Sequence, residues 1–258
     1  MYWRKFTKWL YDIPLGHGVF LKDSYKIEKC LGMGGYGIIY QCTDIHTQKS
    51  YVLKQLRPSK TRSNKETLRF HKEVDLMKSF NHQHIPELVD SFTIDDQEYY
   101  VMKQIKGLNI EDLLFAQQQT LSELESLKLF SKLLNIIEYL HDHHIFHSDI
   151  RPPNIIVMEG EIYLIDFGLA KKVSSEEITE LEDRRQDDFF DMGECLLFLL
   201  YSNYKGKKNK HRSWLEELSL NKETEGLLKR LLGINEVYQD TQRMRVDLAK
   251  AIDSINDK

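Results

Sequence analysis

Short β-branched or aromatic runs alternate with glycine and polar turns from Tyr25 to Lys54. Ile38, Ile39 and Tyr40 form one run and Tyr51, Val52 and Leu53 another, which predicts strand, glycine turn, strand, turn, strand. Asn64 to Phe80 then changes period, with Val74 and Met77 at i, i+3, and reads as a helix capped near Ser63 or Asn64. Glu98 to Gln104 is a further strand, so five strands and one helix are expected in the first part of the chain. Beyond it Leu124, Leu127, Phe130, Leu134 and Ile137 recur at helical steps. Ile155 to Val157 and Ile162 to Ile165 predict two short strands about the Glu159-Gly160 turn, and further helices are expected from Asp188 to Tyr201 and from Trp214 onward. The first twenty residues differ in character. Tyr2, Trp3, Phe6, Trp9 and Leu10 alternate with Arg4, Lys5 and Lys8, and Phe6, Trp9, Leu10 and Ile13 share one face of a helix. Such a basic aromatic helix suits packing on the neighbouring domain or weak contact with an anionic membrane surface.

A chain of 258 residues is long for one compact core and suits two units with little left over. A hydrophobic fraction of 41% supports a core and 29% charged residues a polar surface. The longest apolar run, Cys195 to Leu200, is far below the roughly 18 residues of a spanning helix, and no apolar run near the N-terminus resembles a secretion signal. Three cysteines, Cys30, Cys42 and Cys195, have no paired metal spacing and fit reduced thiols. These features suggest a cytoplasmic protein. A net charge of -4 excludes a generally basic nucleic-acid binder.

Four stretches carry chemistry: Gly32-Met33-Gly34-Gly35-Tyr36-Gly37; Lys54; His147-Ser148-Asp149-Ile150-Arg151-Pro152-Pro153-Asn154; and Asp166-Phe167-Gly168. A glycine turn brings backbone N–H groups close to phosphate without Cβ interference. A lysine ending a strand supplies a cation, and a carboxylate followed by an amide supplies a base and an oxygen ligand. Glycine turns by themselves also arise for purely conformational reasons. In this order and spacing the four match what phosphoryl transfer needs.

On these motifs the chain resembles the eukaryotic-type serine/threonine protein kinases, from roughly Tyr25 to the C-terminus. The resemblance implies an α+β, bilobal fold with a small β-rich N-lobe, a larger helical C-lobe and the ATP site in the cleft. Its boundaries would be an N-terminal extension over 1–22, the N-lobe over 23–104 and the C-lobe over 105–258. ATP and magnesium are the implied cofactors and a protein with a serine or threonine hydroxyl the implied partner, with autophosphorylation expected. Lys54 would be the phosphate-binding lysine and Glu73, nineteen residues on, its partner; Glu66 lies on nearly the same helical face. Leu31, Gly32, Gly34, Gly35, Tyr36, Gly37, Ile39, Val52, Lys103, Ile105 and Ile156 would surround the nucleotide, with Met102 at the back of its pocket. Asp149 would be the catalytic base, Asn154 and Asp166 the magnesium ligands, and Arg151 a cation for the γ-phosphate. His141 and His147 match positions that support the catalytic loop, which speaks against reading His141, His143, His144 and His147 as a zinc site.

Two departures bear on function. Ser148 and Arg151 stand where the family usually has arginine and lysine, and Arg151 differs from an ammonium in its planar fork. About twenty residues separate Gly168 from Asp188, expected to open the large central helix, and no Ala-Pro-Glu motif occurs there; Glu176 or Glu177 would replace its glutamate. The intervening acidic residues and the basic stretch Lys205 to Arg212 read as solvated loops, with partner docking as the alternative. Two rival functions follow: a small-molecule phosphotransferase of kinase-like fold, favoured by the short segment, and a pseudokinase binding module.

Overall fold

The structure, a computed structural model, describes residues 12–206 and 212–256 and divides after Ile105 into two compact units. The first is an antiparallel sheet in the order β1-β2-β3-β4-β6-β5, formed by β1 (Phe20–Leu21), β2 (Tyr25–Met33), β3 (Gly37–Asp44), β4 (Ser50–Leu56), β5 (Leu88–Ile94) and β6 (Gln97–Lys103). Helix α1 (Asn64–Ser79) joins β4 to β5, entered through Ser63 in extended conformation. Side chains alternate across a strand, so β4 and β6 each feed two cores. Leu53, Tyr99 and Val101 join Ile27, Ile38, Tyr40 and Cys42 on one face. Val52, Leu56, Tyr100 and Met102 pack with Phe70, Val74 and Met77 of α1 on the other. The sheet thus has six strands where five were expected, β1 being a two-residue addition paired with β2.

Residues 1–11, which include Phe6, Trp9 and Leu10 of the anticipated N-terminal helix, lie outside the described residues. Its fourth member, Ile13, belongs to no helix and is 69% exposed. From Asp12 onward the chain is tied to the first unit. Leu15 N–H donates to the Tyr40 hydroxyl at 3.0 Å and Gly18 N–H to Ile27 O at 2.8 Å.

The second unit is built around α3 (Glu123–Asp142), which buries Leu127, Phe130, Leu134 and Ile137 and starts with a Ser122/Glu125 capping box. Before it come β7 (Leu108–Asn109) and α2 (Ile110–Phe115); after it come β8 (Ile145–Phe146), the hairpin β9 (Ile155–Met158) and β10 (Glu161–Leu164), and β11 (Lys171–Lys172). Helices α4 (Ile178–Tyr201), α5 (Trp214–Glu217), α6 (Lys222–Leu231) and α7 (Thr241–Asn256) complete it, with α4 and α7 packed on α3. Gly193 permits the close approach of α4 and α6: a Cβ there would lie 2.9 Å from that of Leu231. Strand β9 pairs with both β7 and β10.

One boundary differs in a way that matters. The central helix α4 begins at Ile178, not at Asp188, so nine residues, 169–177, separate Gly168 from it. Glu180, Glu182, Asp183 and Asp187 are therefore helical, which corrects their reading as a solvated loop. Leu181 explains the earlier start, for it packs with Phe146 and Val173 and docks the first turns onto the core. Of the basic stretch, residues 207–211 lie outside the described residues. Among the described residues no helix is long and apolar enough to cross a membrane.

Candidate active site

In the first unit Lys54 sits on β4 opposite Ile39 of β3 and Tyr100 of β6, on the face covered by α1. Its Nζ lies 2.7 Å from Glu73 Oε1, and the two side chains are only 6% and 4% exposed. The Tyr100 hydroxyl donates to the same Glu73 oxygen at 2.9 Å, and Lys54 Nζ stands 5.7 Å from the Tyr100 ring centre. Burying two ions costs several kcal/mol each before their attraction is counted. Glu73 thus answers two donors, while Glu66, the other candidate partner, lies 3.7 Å from Lys60.

The glycine turn links β2 to β3. Gly34 N–H donates to Gly37 O at 2.9 Å, closing the turn. Gly37 has a packing reason to be glycine, because a Cβ would fall 3.0 Å from Lys54 Cε and 3.1 Å from Gln55 O. Gly32 and Gly35 have none: open space surrounds their missing Cβ, and at Gly34 the nearest atom is 4.0 Å away. None of these four has φ in the left-handed range, so backbone conformation does not demand glycine either. Tyr36, at the tip, has Lys60 Nζ 4.1 Å and Arg69 Cζ 3.8 Å from its ring centre. Both are close enough for cation–π attraction. Arg69 and Glu73 are four residues apart on α1 and share a face.

In the second unit the loop bearing Asp149 is held by carboxylates of α4. Asp188, fully buried, accepts from His147 N–H at 3.0 Å, from Ser148 N–H at 2.8 Å and from His141 Nε2 at 2.9 Å. Three residues on, Asp191 accepts from Ile150 N–H at 3.2 Å. The backbone is thus fixed on both sides of Asp149. Burial, with the nearby Asp188 and Asp149 charges adding to it, pushes the Asp191 carboxyl up to about 6 despite that hydrogen bond. Asn154 donates from Nδ2 to Asp149 O at 2.9 Å and to Asp149 Oδ2 at 2.8 Å, which leaves its amide oxygen as the end able to act as a ligand.

His147 donates from Nε2 to Ile165 O at 3.2 Å and meets Phe167 edge-on, 4.9 Å between ring centres. Burial holds its pKa below the ordinary value, so the imidazole is neutral near pH 7. Ser148 (φ 59°) and Asp166 (φ 63°) both adopt left-handed backbone, uncommon outside glycine. Strain of this kind collects at functional sites. Gly168 N–H donates to Asp166 Oδ1 at 3.4 Å.

Residues 25–190 match the model of the protein kinase domain. Over 248 residues the chain is 60% identical to the probable serine/threonine-protein kinase YbdM of Bacillus subtilis, covering 96% of this chain and 97% of that protein. It is 32% identical over 160 residues to serine/threonine-protein kinase D of a Synechocystis strain, matching 58% of this chain and 31% of that longer protein. This chain belongs to the protein kinase family. Each unit of the kinase carries its own cluster of the residues described above.

The remaining positions that the resemblance assigned to the nucleotide are of mixed character. Leu31 is exposed, Ile39 and Ile105 are half-buried and Val52 is buried beside Met102, all in the first unit of the kinase. Lys103 pairs with Glu87 through its side chain and also donates its backbone N–H to Glu87 O at 2.9 Å. Ile156 is half-buried in the second unit, opposite Asn109 and Tyr163, and Arg151 is exposed. Glu177 accepts from Ser174 N–H at 3.1 Å, closing a local turn in the nine-residue segment. Sequence reasoning missed the part played by Asp188 and Asp191. A signal existed for the first: Asp188, Met192, Cys195, Leu196 and Leu199 form one buried stripe, and an acid in such a stripe needs partners.

Proposed function

We propose that this kinase transfers the γ-phosphoryl group of ATP, with magnesium, to serine or threonine hydroxyls of proteins, its own among them. The observation that carries the reading is the glycine turn: neither the conformation nor the packing of the chain accounts for Gly32, Gly34 or Gly35. A ligand whose oxygens approach the backbone N–H groups does account for them. The serine/threonine assignment draws support from the 60% identical relative, whose name states that specificity.

The remaining roles follow from chemistry. Lys54, oriented by Glu73 and Tyr100, neutralises the α- and β-phosphates. Asp149 orients the incoming hydroxyl and accepts its proton, with Asn154 fixing one carboxylate oxygen and leaving the other for the substrate. The Asn154 amide oxygen and the Asp166 carboxylate are hard oxygen donors and would hold magnesium. When bound, the ion offsets charge on the transferring phosphoryl group. Arg151, exposed on the catalytic loop, supplies a cation to the γ-phosphate.

A second reading, phosphoryl transfer to a small molecule, is favoured by the nine residues of segment 169–177, a short platform for a peptide. Incubation with labelled ATP and magnesium, followed by separation of labelled protein from labelled small molecules, decides between them. Label on protein serine or threonine is expected; label on small molecules alone supports the second reading. No transfer, together with no rise in melting temperature at millimolar ATP, overturns both.

A further inference from the structure

Asp12 lies before the stretch that matches the kinase domain, which begins at residue 25, yet it is 2% exposed. Its Oδ1 accepts from Ser59 N–H at 2.8 Å. Its Oδ2 accepts from the Ser59 hydroxyl at 2.8 Å and from Arg57 Nε at 2.8 Å and Nη2 at 2.7 Å. With one edge committed to Asp12, the planar guanidinium has a fixed orientation, and its remaining nitrogen, Nη1, donates to Gly34 O at 3.2 Å. Arg57 also donates its backbone N–H to Tyr36 O at 3.2 Å. One residue thus holds two carbonyls of the glycine turn, and a carboxylate from outside the family's domain aims it.

We infer that Asp12 is a positioning residue for nucleotide binding: by aiming Arg57 at Gly34 it keeps the glycine turn ordered before the nucleotide arrives. The inference rests on the function proposed above. A turn that spends part of its time in other conformations binds with an affinity reduced by the competent fraction. Glycines with open space around them gain most from such a restraint, since nothing in their own packing limits them.

In the full-length protein, Asp12→Ala and Arg57→Lys are each expected to raise the KM for ATP and the dissociation constant for ADP about five- to tenfold. Turnover at saturating ATP should stay within about twofold, because the residues that act on the phosphoryl group are untouched. Arg57→Lys keeps the charge and loses the fork, which separates orientation from electrostatics. The Asp12→Ala/Arg57→Lys double variant should be no worse than either single one, since both break one relay. Amide exchange over residues 32–37, measured without nucleotide, should quicken about tenfold in each variant while β5 and β6 keep their protection. Unchanged exchange at these amides, or effects on affinity that add in the double variant, would overturn the inference. If Asp12→Ala does not fold, Arg57→Lys carries the test alone, and wild-type affinity in it is the refuting result. If the wild type binds no nucleotide, the proposed function fails, and the exchange measurement still decides whether Asp12 orders the turn.

Discussion

The two units of this kinase hold their reactive groups by different means. In the first, side chains grip side chains: Glu73 takes Lys54 and Tyr100, and Arg69 and Lys60 take the Tyr36 ring. In the second, carboxylates grip backbone: Asp188 and Asp191 take the N–H groups of His147, Ser148 and Ile150. A backbone grip fixes where Asp149 starts from; a side-chain grip fixes where a cation ends. The side-chain grips of the first unit can adjust to a ligand through rotamer changes. The grip in the second unit can shift only if the loop itself refolds, which suits the role of base proposed for Asp149.

The comparison is sharpened first by removing the gripped groups. Asp149→Asn and Lys54→Met should each lower phosphoryl transfer by about 10³-fold, because the loss is of charge and position; the melting temperature should change little in Asp149→Asn and fall in Lys54→Met, which leaves the buried Glu73 carboxylate without its cation. Initial rates with labelled ATP check this, and full turnover in Asp149→Asn would place the base elsewhere. Removing the grips should then separate the units. Asp188→Ala orphans two buried N–H groups and the His141 ring, and is expected to cost about 3 kcal/mol or more of stability in denaturant titration, together with most activity. Tyr100→Phe removes one of two donors to Glu73 and should cost about 1 kcal/mol, with an activity loss of about fivefold. Equal penalties for the two variants would contradict the distinction between backbone and side-chain grips.

Acidity probes the second unit alone. Asp191 is pushed up to about 6 in the fold from an ordinary 3.8, so its protonated form is favoured there. Its contribution to stability is complete below the ordinary value, declines as pH rises and is gone above about 6. Asp191→Asn keeps an acceptor for Ile150 N–H without the charge. It should therefore raise the melting temperature relative to wild type by a few degrees at pH 7.5 and by nothing at pH 4. A difference independent of pH would mean that the Asp191 charge carries no cost.

The smallest effect is expected in the segment after Gly168 and the first turn of α4. Ser148 offers no cation, Arg184 lies 3.4 Å from Glu180, and Arg185 donates to Gln239 O at 3.3 Å. A phosphate on Ser174, Ser175 or Thr179 would meet occupied arginines and several carboxylates. The triple alanine variant and phosphatase-treated wild type should each keep activity within about threefold. A tenfold loss in both, reversed in the wild type by rephosphorylation, would show that a cation such as Arg151 acts as a switch.

What the sequence disclosed follows from the range over which each signal acts. Helix α1 was legible from the spacing of Val74 and Met77, which lies within one segment, and Ser63 stands at its N-cap position although its side chain makes no capping bond. The β9–β10 hairpin was legible from Glu159-Gly160, whose φ values of 53° and 79° are those a tight turn requires. The start of α4 was not. Residues 178–187 carry one buried apolar side chain, Leu181, and its partners Phe146 and Val173 arrive from elsewhere in the chain. For the same reason the grips of Asp188 on residues 41 and 40 positions away, and of Asp12 on Arg57, left no local trace.

Of the three thiols, Cys30 is exposed and borders the glycine turn, whereas Cys42 and Cys195 are buried, and burial raises the Cys42 thiol to about 12 and pushes Cys195 further up. An alkylating reagent at neutral pH therefore meets one reactive sulfur in the native protein and three in the denatured chain. The mass added in a brief pulse reads out folding as a stoichiometry, without a spectroscopic label, and can be taken on every variant above.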